Sequence, residues 1–474
     1  MGSMIINFIT HLLVPFIIVL GAAVILHEFG HFIVAKLFKI RVETFSVGFG
    51  PRLFGKKFGH TDYRVSAIPL GGYVKLGGDE SNAPIEGESA PDIPPGERFD
   101  LRPRWQRISV ALAGPIMNIL TALAIPFAAG LIYGIPMTPT PVVSSVAASG
   151  AAEVAGLRPG DRIVSFNGNA NPDWQTISDD ALLSPDEPLP VVIDRNGQQI
   201  NLTIKPKPVT IDSETAGDLG FIPDYGQALV VIADVTAGSP AEAAGLKGGD
   251  RVVAIGGQKA KSSEQVVQYI RAHKDEPLPM DVDRQGQPLS VSVRIPAGQQ
   301  IIGVHIGQQF PLVRIGPAGA GKYAVDSNVR VLRLTARALG QVFQGKRSIR
   351  NTVSGPIGIA RESGRVFSEL GWAGMFTLLS FLSLNLGVFN LLPIPVLDGG
   401  AIFLLLIEGA LAIVGMTISM RVRERIQQVG FVFVILLMVF VLTNDALKQL
   451  SIWRGTSGGN APAATSPAQG SPSR

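Results

Sequence analysis

The stretch His27-Glu28-Phe29-Gly30-His31 decides how this chain is read, because it stands inside an apolar run. Residues Ile5 to Leu26 are almost wholly apolar and long enough to cross a bilayer, and Phe32, Ile33, Val34, Leu37 and Phe38 continue the run beyond the pentapeptide. On a helix, positions 27 and 31 lie one turn apart, so both imidazoles project from one face. Two neutral ring nitrogens at that spacing can bind one Zn²⁺, with Glu28 beside them as general base. An H-E-x-x-H string is common by chance in soluble chains. At membrane depth a carboxylate and two imidazoles are costly unless paired, which favours a functional site. The plainer alternative is a set of polar residues sealing a helix–helix contact.

Hydrophobic residues make up 46% of the 474 positions and concentrate in a few runs, as in a protein of several spans plus soluble parts. Four spans are expected: Ile5–Phe38, Trp105–Tyr133, Phe367–Leu392 and Val429–Leu442. Ala401–Val414 is a further helix, either continuing the third span or lying in the interface. The net charge of +4 is small for this length, and no basic stripe with interleaved aromatics speaks for nucleic acid. Cysteine is absent, so there is neither a disulfide framework nor thiol chemistry. The first run lacks a basic n-region and continues into the polar pentapeptide, so it reads as a retained span, not a signal peptide. Met1-Gly2-Ser3 before Met4 reads as a cloning scar, with N-myristoylation of Gly2 the weaker alternative. The tail 455–474, rich in Gly, Ser, Pro, Ala and Thr, is expected to be disordered.

Basic residues set the orientation. Lys36, Lys39, Arg41, Arg52, Lys56, Lys57, Arg64, Arg102, Arg104 and Arg107 cluster between the first two spans, and Arg421, Arg423 and Arg425 between the last two. Both loops are expected in the cytoplasm, which puts both termini and the long segment Pro136–Glu369 on the far side.

That long segment repeats itself. Ala151-Ala-Glu-Val-Ala-Gly-Leu-Arg-Pro-Gly-Asp-Arg-Ile163 matches Pro240-Ala-Glu-Ala-Ala-Gly-Leu-Lys-Gly-Gly-Asp-Arg-Val252, and the same offset aligns Asp194-Arg-Asn-Gly197 with Asp283-Arg-Gln-Gly286. Register kept over that distance marks two copies of one domain. Strands are expected at Arg162–Phe166, Val191–Asp194 and Ile200–Ile204, then at Val252–Ile255, Met280–Asp283 and Leu289–Ile295, with a short helix in each copy. The Gly-Leu-x-x-Gly-Asp signature resembles PDZ domains of the bacterial protease type. Each copy is expected to end in a Gly-containing strand, Leu219-Gly220-Phe221 and Ile302-Gly303-Val304. In a circularly permuted PDZ those strands would take a peptide terminus at a sheet edge. Size gating of the active site is a close rival, and inert spacers are the plain alternative.

A catalytic zinc site has three protein ligands and one open position. Asn390-Leu-Leu-Pro-Ile-Pro-Val-Leu-Asp398-Gly-Gly400 offers the third: Asp398 closes an apolar span, and Pro393, Pro395, Gly399 and Gly400 break the helix around it. Broken backbone at membrane depth is tolerated where it is buried in protein or lines a wet cavity.

Together these two motifs resemble the site-2 protease family of intramembrane zinc metalloproteases, in its RseP-like branch with tandem PDZ domains. Gly48-Phe-Gly-Pro51, Gly71-Gly-Tyr-Val-Lys75, Gly114-Pro-Ile-Met-Asn118 and Ser354-Gly-Pro-Ile-Gly358 support the likeness, while Leu76-Gly-Gly-Asp-Glu80 departs from it. The resemblance implies a polytopic α-helical membrane protein of the bacterial inner membrane. Four transmembrane helices would carry two tandem circularly permuted PDZ domains (β-sandwich-like α+β) between helices two and three. The parts are then helix 5–38, a cytoplasmic loop 39–104 with a membrane-reentrant β-element, helix 105–133, periplasmic PDZ domains 136–223 and 224–308, an amphipathic region 325–366, helix and follower 367–414, and helix 429–443. His27, His31 and Asp398 would hold Zn²⁺, and Glu28 would act as general base. Asn390, and Asn385 with Pro393 and Pro395, would position substrate or the oxyanion, and Gly71, Gly72, Tyr73 and Val74 would offer a strand edge to an unwound substrate. Implied substrates are single-span proteins already clipped outside the membrane, such as an anti-sigma factor, and leftover signal peptides, cut in envelope-stress signalling. Ser327–Ile359 would brace the PDZ pair on the outer membrane surface or serve only as a solvated linker. Two other classes compete: a zinc transporter, for which the remaining spans offer little beyond Asn118 and Asn385, and an inactive scaffold, against which the intact Glu28 argues.

Overall fold

The computed structural model describes residues 12–79, 93–211, 214–274, 276–296, 301–349, 354–416 and 419–456. The start of the first span, Glu80 and all but the first two residues of the expected disordered tail lie outside them. The described residues divide into two compact units, one holding those up to Ile132 and from Gly316 on, the other Tyr133–Ile315.

The first unit holds α1 (Val14–Leu37), the paired strands β1 (Val42–Phe58) and β2 (Thr61–Leu76), α2 (Arg104–Ile132), α3 (Pro317–Phe343), α4 (Pro356–Asn390), α5 (Asp398–Ile413) and α6 (Met420–Thr456). Among the described residues, four stretches are long and apolar enough to cross a membrane: α1, α2, α4 and Arg425–Lys448 of α6. Two helices exceed the expected spans. The element holding the third span begins at Pro356 instead of Phe367: a helix from the amphipathic region meets the apolar helix at a kink at Gly371, whose backbone leaves helical geometry (φ 58°, ψ −144°). The fourth extends past Val429–Leu442 at both ends. The expected amphipathic stretch 327–359 is therefore not one element: α3 stops at Phe343, and α4 takes its end.

Small residues let the helices touch. A Cβ on Gly30 of α1 would lie 2.2 Å from the Ala113 carbonyl oxygen of α2, and one on Gly387 of α4 would lie 2.9 Å from the Pro115 carbonyl oxygen. Without water to press helices together, such close contact is what holds a bundle. Pro126 inside α2 has no N–H, so the Ala122 carbonyl lacks its helical partner. Two neighbours satisfy it: Asn328 Nδ2 of α3 at 3.0 Å and Ser380 Oγ of α4 at 2.9 Å. Asp445 of α6, 3% exposed, does the same at the start of α4, accepting from the amides of Gly355, Ile357 and Gly358 at 3.0–3.1 Å. Arg423 of α6 pairs with Glu408 of α5.

Strands β1 and β2 double back on each other. Residues Val42–Val47 pair with Gly72–Leu76 on one side and with Asp62–Val65 on the other, and Asp62–Val65 pairs again with Phe54–Lys57. Gly72–Leu76 therefore forms an outer edge of this sheet.

In the second unit both repeats build a sheet of the same order. In the first copy, Phe221–Asp224 lies beside Thr140–Val146, then Arg162–Phe166, Leu189–Arg195 and Gln198–Ile204. In the second, Val304–Gln309 lies beside Leu229–Val235, then Arg251–Ile255, Leu278–Arg284 and Gln287–Val293. Each has its own core, around Phe166 and Ile193 in one and Ile255 and Met280 in the other. The chain enters and leaves this unit through a two-strand ribbon, Ile135–Pro136 paired with Leu312–Val313. One expectation is corrected: Leu219-Gly220 and Ile302-Gly303 are not strand but the turn before it. Gly220 (φ 69°) and Gly303 (φ 78°) occupy the left-handed region, which ends extended pairing.

The repeated Gly-Asp and Asp-Arg dipeptides have one explanation. Arg195 clamps Asp161 with two bonds of 2.7 Å, and Arg284 clamps Asp250 likewise; both carboxylates are 1% exposed. Each guanidinium also binds a carbonyl of the preceding glycine turn, Gly156 or Gly245. Burial alone pushes the Asp161 carboxyl up, but its hydrogen bonds to Arg195 and the Arg158 amide outweigh that and hold it below the ordinary range. A depressed folded pKa contributes stability above the unfolded value of about 4 and loses it as pH falls through the folded value. Hydrogen exchange of the full chain should therefore show strands 189–204 losing protection below about pH 4. Asp161→Asn should lower their protection at pH 7 roughly tenfold and leave 278–293 unchanged. Equal loss in both repeats would refute a local role.

Candidate metal centre

The face of α1 bearing His27 and His31 meets α2, and the start of α5 brings Asp398 against it. His27 Nε2 lies 3.0 Å from Asp398 Oδ2 and 3.3 Å from His31 Nε2, and His31 Nε2 lies 3.5 Å from Asp398 Oδ1. The donor atoms of the three residues all lie within 4.8 Å of one another. The rings meet edge-on, centroids 4.9 Å apart. Two imidazole nitrogens and a carboxylate oxygen converging in this way could hold a metal ion, and they match the donor set of a catalytic zinc site, three protein ligands with one open position. The residues fit the ion.

The surroundings hold each of these side chains. His31 Nδ1 lies 2.8 Å from the Val110 carbonyl oxygen, and His27 Nδ1 lies 3.2 Å from Asn118 Nδ2, both on α2. Between them stands Gly114: a Cβ there would lie 2.3 Å from His31 Nε2 and 2.8 Å from His27 Cε1. Asp398 is placed by a broken helix. Leu391–Leu397 turns through the two prolines, with Val396 at φ 86°, a left-handed conformation unfavourable for a β-branched residue. A Cβ on Gly399 would meet Leu391 at 2.3 Å, one on Gly400 would meet the Ile394 oxygen at 2.1 Å, and one on Gly430 of α6 would meet Pro395 at 2.3 Å. The loop is thus locked from both sides.

Glu28 faces the sheet edge. The Val74 amide donates to its carboxylate, and its Cγ would lie 3.6 Å from a Cβ on Gly72. Tyr73 stacks on Phe49, centroids 6.0 Å apart, under the Arg64 guanidinium at 5.4 Å. Gly71, at φ 117°, leaves room for the Phe49 ring. Asn390 Nδ2 stands 3.2 Å from His27 Nε2, whereas Asn385 spends its amide on the Phe381 carbonyl of its own helix. The loop residues Leu219, Gly220, Ile302 and Gly303, with Phe221 and Val304 opening their strands, belong to the other unit. In the sequence Gly114 stands out only as part of a motif and Asn118 only there and as a polar residue for a transporter path, while Asp445 was missed. For two of these the signal was polarity: Asn118 interrupts an apolar run, and Asn444-Asp445 closes one.

The model of peptidase family M50 matches residues 15–437. The chain belongs to this family, the site-2 proteases. It is 34% identical over 466 residues to the regulator of sigma-E protease RseP of Escherichia coli K12, covering 91% of this chain and 98% of that protein. It is 33% identical over 462 residues to a Vibrio cholerae protein named "Putative zinc metalloprotease", covering 91% and 97%. Protease RseP of Yersinia pestis is 32% identical over 455 residues, covering 91% and 98%. As a site-2 protease the chain is a zinc metalloprotease of membranes.

Gly114→Ala should dislodge both imidazoles. Zinc retention of the purified protein against a chelator is expected to fall about 10–100-fold. Retention equal to wild type would show that α2 does not set the imidazole positions.

Proposed function

We propose that this protease cuts peptide bonds inside the membrane segments of single-span proteins already clipped outside the membrane. Substrates would be of the anti-sigma-factor type, together with remnant signal peptides. The observation that carries the reading is the position of Glu28, beside the histidine–aspartate cluster and hydrogen-bonded to the edge strand at Val74.

His27, His31 and Asp398 hold Zn²⁺ in this reading. Bound there, the ion supplies Lewis acidity to a water molecule and to the scissile carbonyl. Glu28 takes a proton from the attacking water and delivers it to the leaving amine. Asn390 offers an uncharged N–H donor to the substrate backbone or the oxyanion, which avoids a charge penalty in an apolar site.

A helix conceals its own amide bonds, so the substrate must unwind. Along an antiparallel edge, amides alternate between the partner strand and the open side. Val74 spends its outward amide on Glu28, so the base sits on the open side of Gly71–Val74. An extended substrate added there lies along the strand that aims the carboxylate.

The basic residues of the loop 39–104 support a cytoplasmic placement, with the repeats in the periplasm of a bacterial inner membrane. We read the repeats as PDZ domains. Their terminal strands, Phe221–Asp224 and Val304–Gln309, lie at sheet ends open to β-addition. In the first repeat the Gly220 amide already binds Asp218 at 3.0 Å, where the second repeat has Ile301. That favours size exclusion by the first repeat and capture of a terminal carboxylate by the second.

Cleavage of a model single-span substrate with a short outer domain, by wild type and Glu28→Gln in detergent, tests the reading. The variant is expected to lose activity about 10²–10⁴-fold with its zinc content unchanged. Equal cleavage by both would remove the central claim.

A further inference from the structure

We infer that Asn118 is a positioning residue that fixes the tautomer of His27: its side-chain oxygen accepts the Nδ1 proton and leaves Nε2 as the metal-binding nitrogen. The inference rests on His27, His31 and Asp398 being the metal ligands. Asn118 is fully buried (0% exposed) in apolar α2, where an amide without partners is costly. Its Nδ2 lies 3.2 Å from His27 Nδ1, and its Oδ1 has no hydrogen-bond partner among the described residues. The two ends of a carboxamide are nearly equal in size, so the network decides which way it faces. A half-turn of the amide brings Oδ1 to Nδ1.

The chemistry of the ring selects that orientation. A neutral imidazole carries one proton. His27 Nε2 faces His31 Nε2 at 3.3 Å and Asp398 Oδ2 at 3.0 Å, the side on which the ligands converge. The proton therefore belongs on Nδ1, which becomes a donor, and of the two amide atoms only Oδ1 accepts. One turn of the amide satisfies both the ring and the buried oxygen. His31 is treated in the same way by the Val110 carbonyl oxygen, 2.8 Å from its Nδ1. Positions 110, 114 and 118 recur every fourth residue, so one stripe of α2 orients one ring with backbone, makes room with glycine, and orients the other ring with a side chain.

The test uses the full-length protein in detergent: wild type, Asn118→Leu and Asn118→Asp, each loaded with zinc and titrated with a chelator. Thermal unfolding reports the fold. Leu keeps the branched shape and removes the acceptor, and should weaken zinc retention about 10–100-fold. Asp keeps an acceptor and should stay close to wild type; if it does not fold, Asn118→Ser, whose hydroxyl also accepts, takes its place. Wild-type affinity in the Leu variant would overturn the role, as would a folded Asp or Ser variant that loses zinc as the Leu variant does. A wild type that takes up no zinc would instead overturn the metal site beneath it.

Discussion

Backbone proximity between α1 and α2 is the constraint on which the site depends. Imidazoles are short, and they reach a common point with Asp398 only if the helices carrying and supporting them touch. Gly30 against Ala113 sets that separation, and Gly114 leaves the volume that both rings fill. The bonds to Val110 and Asn118 exist only at that distance. In an apolar medium the gain from such contact is dispersion and hydrogen bonding, so each missing methyl group matters.

Asp398 is reached by the opposite device. Where α1 and α2 are regular, the segment after Asn390 abandons the helix, and Val396 is held in a strained backbone conformation. Such a conformation persists because its surroundings over-determine it. Gly399, Gly400 and Gly430 let α5, the loop and α6 close on one another, so strain at one residue is offset by packing along several. Regular helices and a forced turn meet at one point, each supplying what the other cannot.

Much of this was legible in the sequence, for local reasons. Apolar runs gave the spans, i,i+4 spacing gave His27 and His31, and the Pro-Gly pattern gave Asp398. The strand Arg162–Phe166 has the bounds read from alternation, and the offset between repeats aligns the two ion pairs. What stayed hidden joins residues far apart in the chain. The double pairing of β1 and β2, the Val74 amide on Glu28, and the Ala122 carbonyl shared by Asn328 and Ser380 depend on tertiary placement. Pro126 announced a lost helical bond but not who would replace it. The extra length of α4 was hidden because amphipathic and apolar stretches join across a single glycine, Gly371. Composition does not reveal a positive φ, so in the sequence the glycine turns at 220 and 303 merge with the strands that follow them.

The ribbon of Ile135–Pro136 and Leu312–Val313 gives the second unit the topology of a cassette. Everything from Tyr133 to Ile315 leaves and returns through two adjacent strands. For the rest of the chain, the entropy of closing that excursion is set by the width of the ribbon, not by the residues beyond it. Such a module can lengthen, duplicate its domain or be trimmed without shifting the register of the helices on either side. A second copy of the repeat is the kind of change that this geometry tolerates.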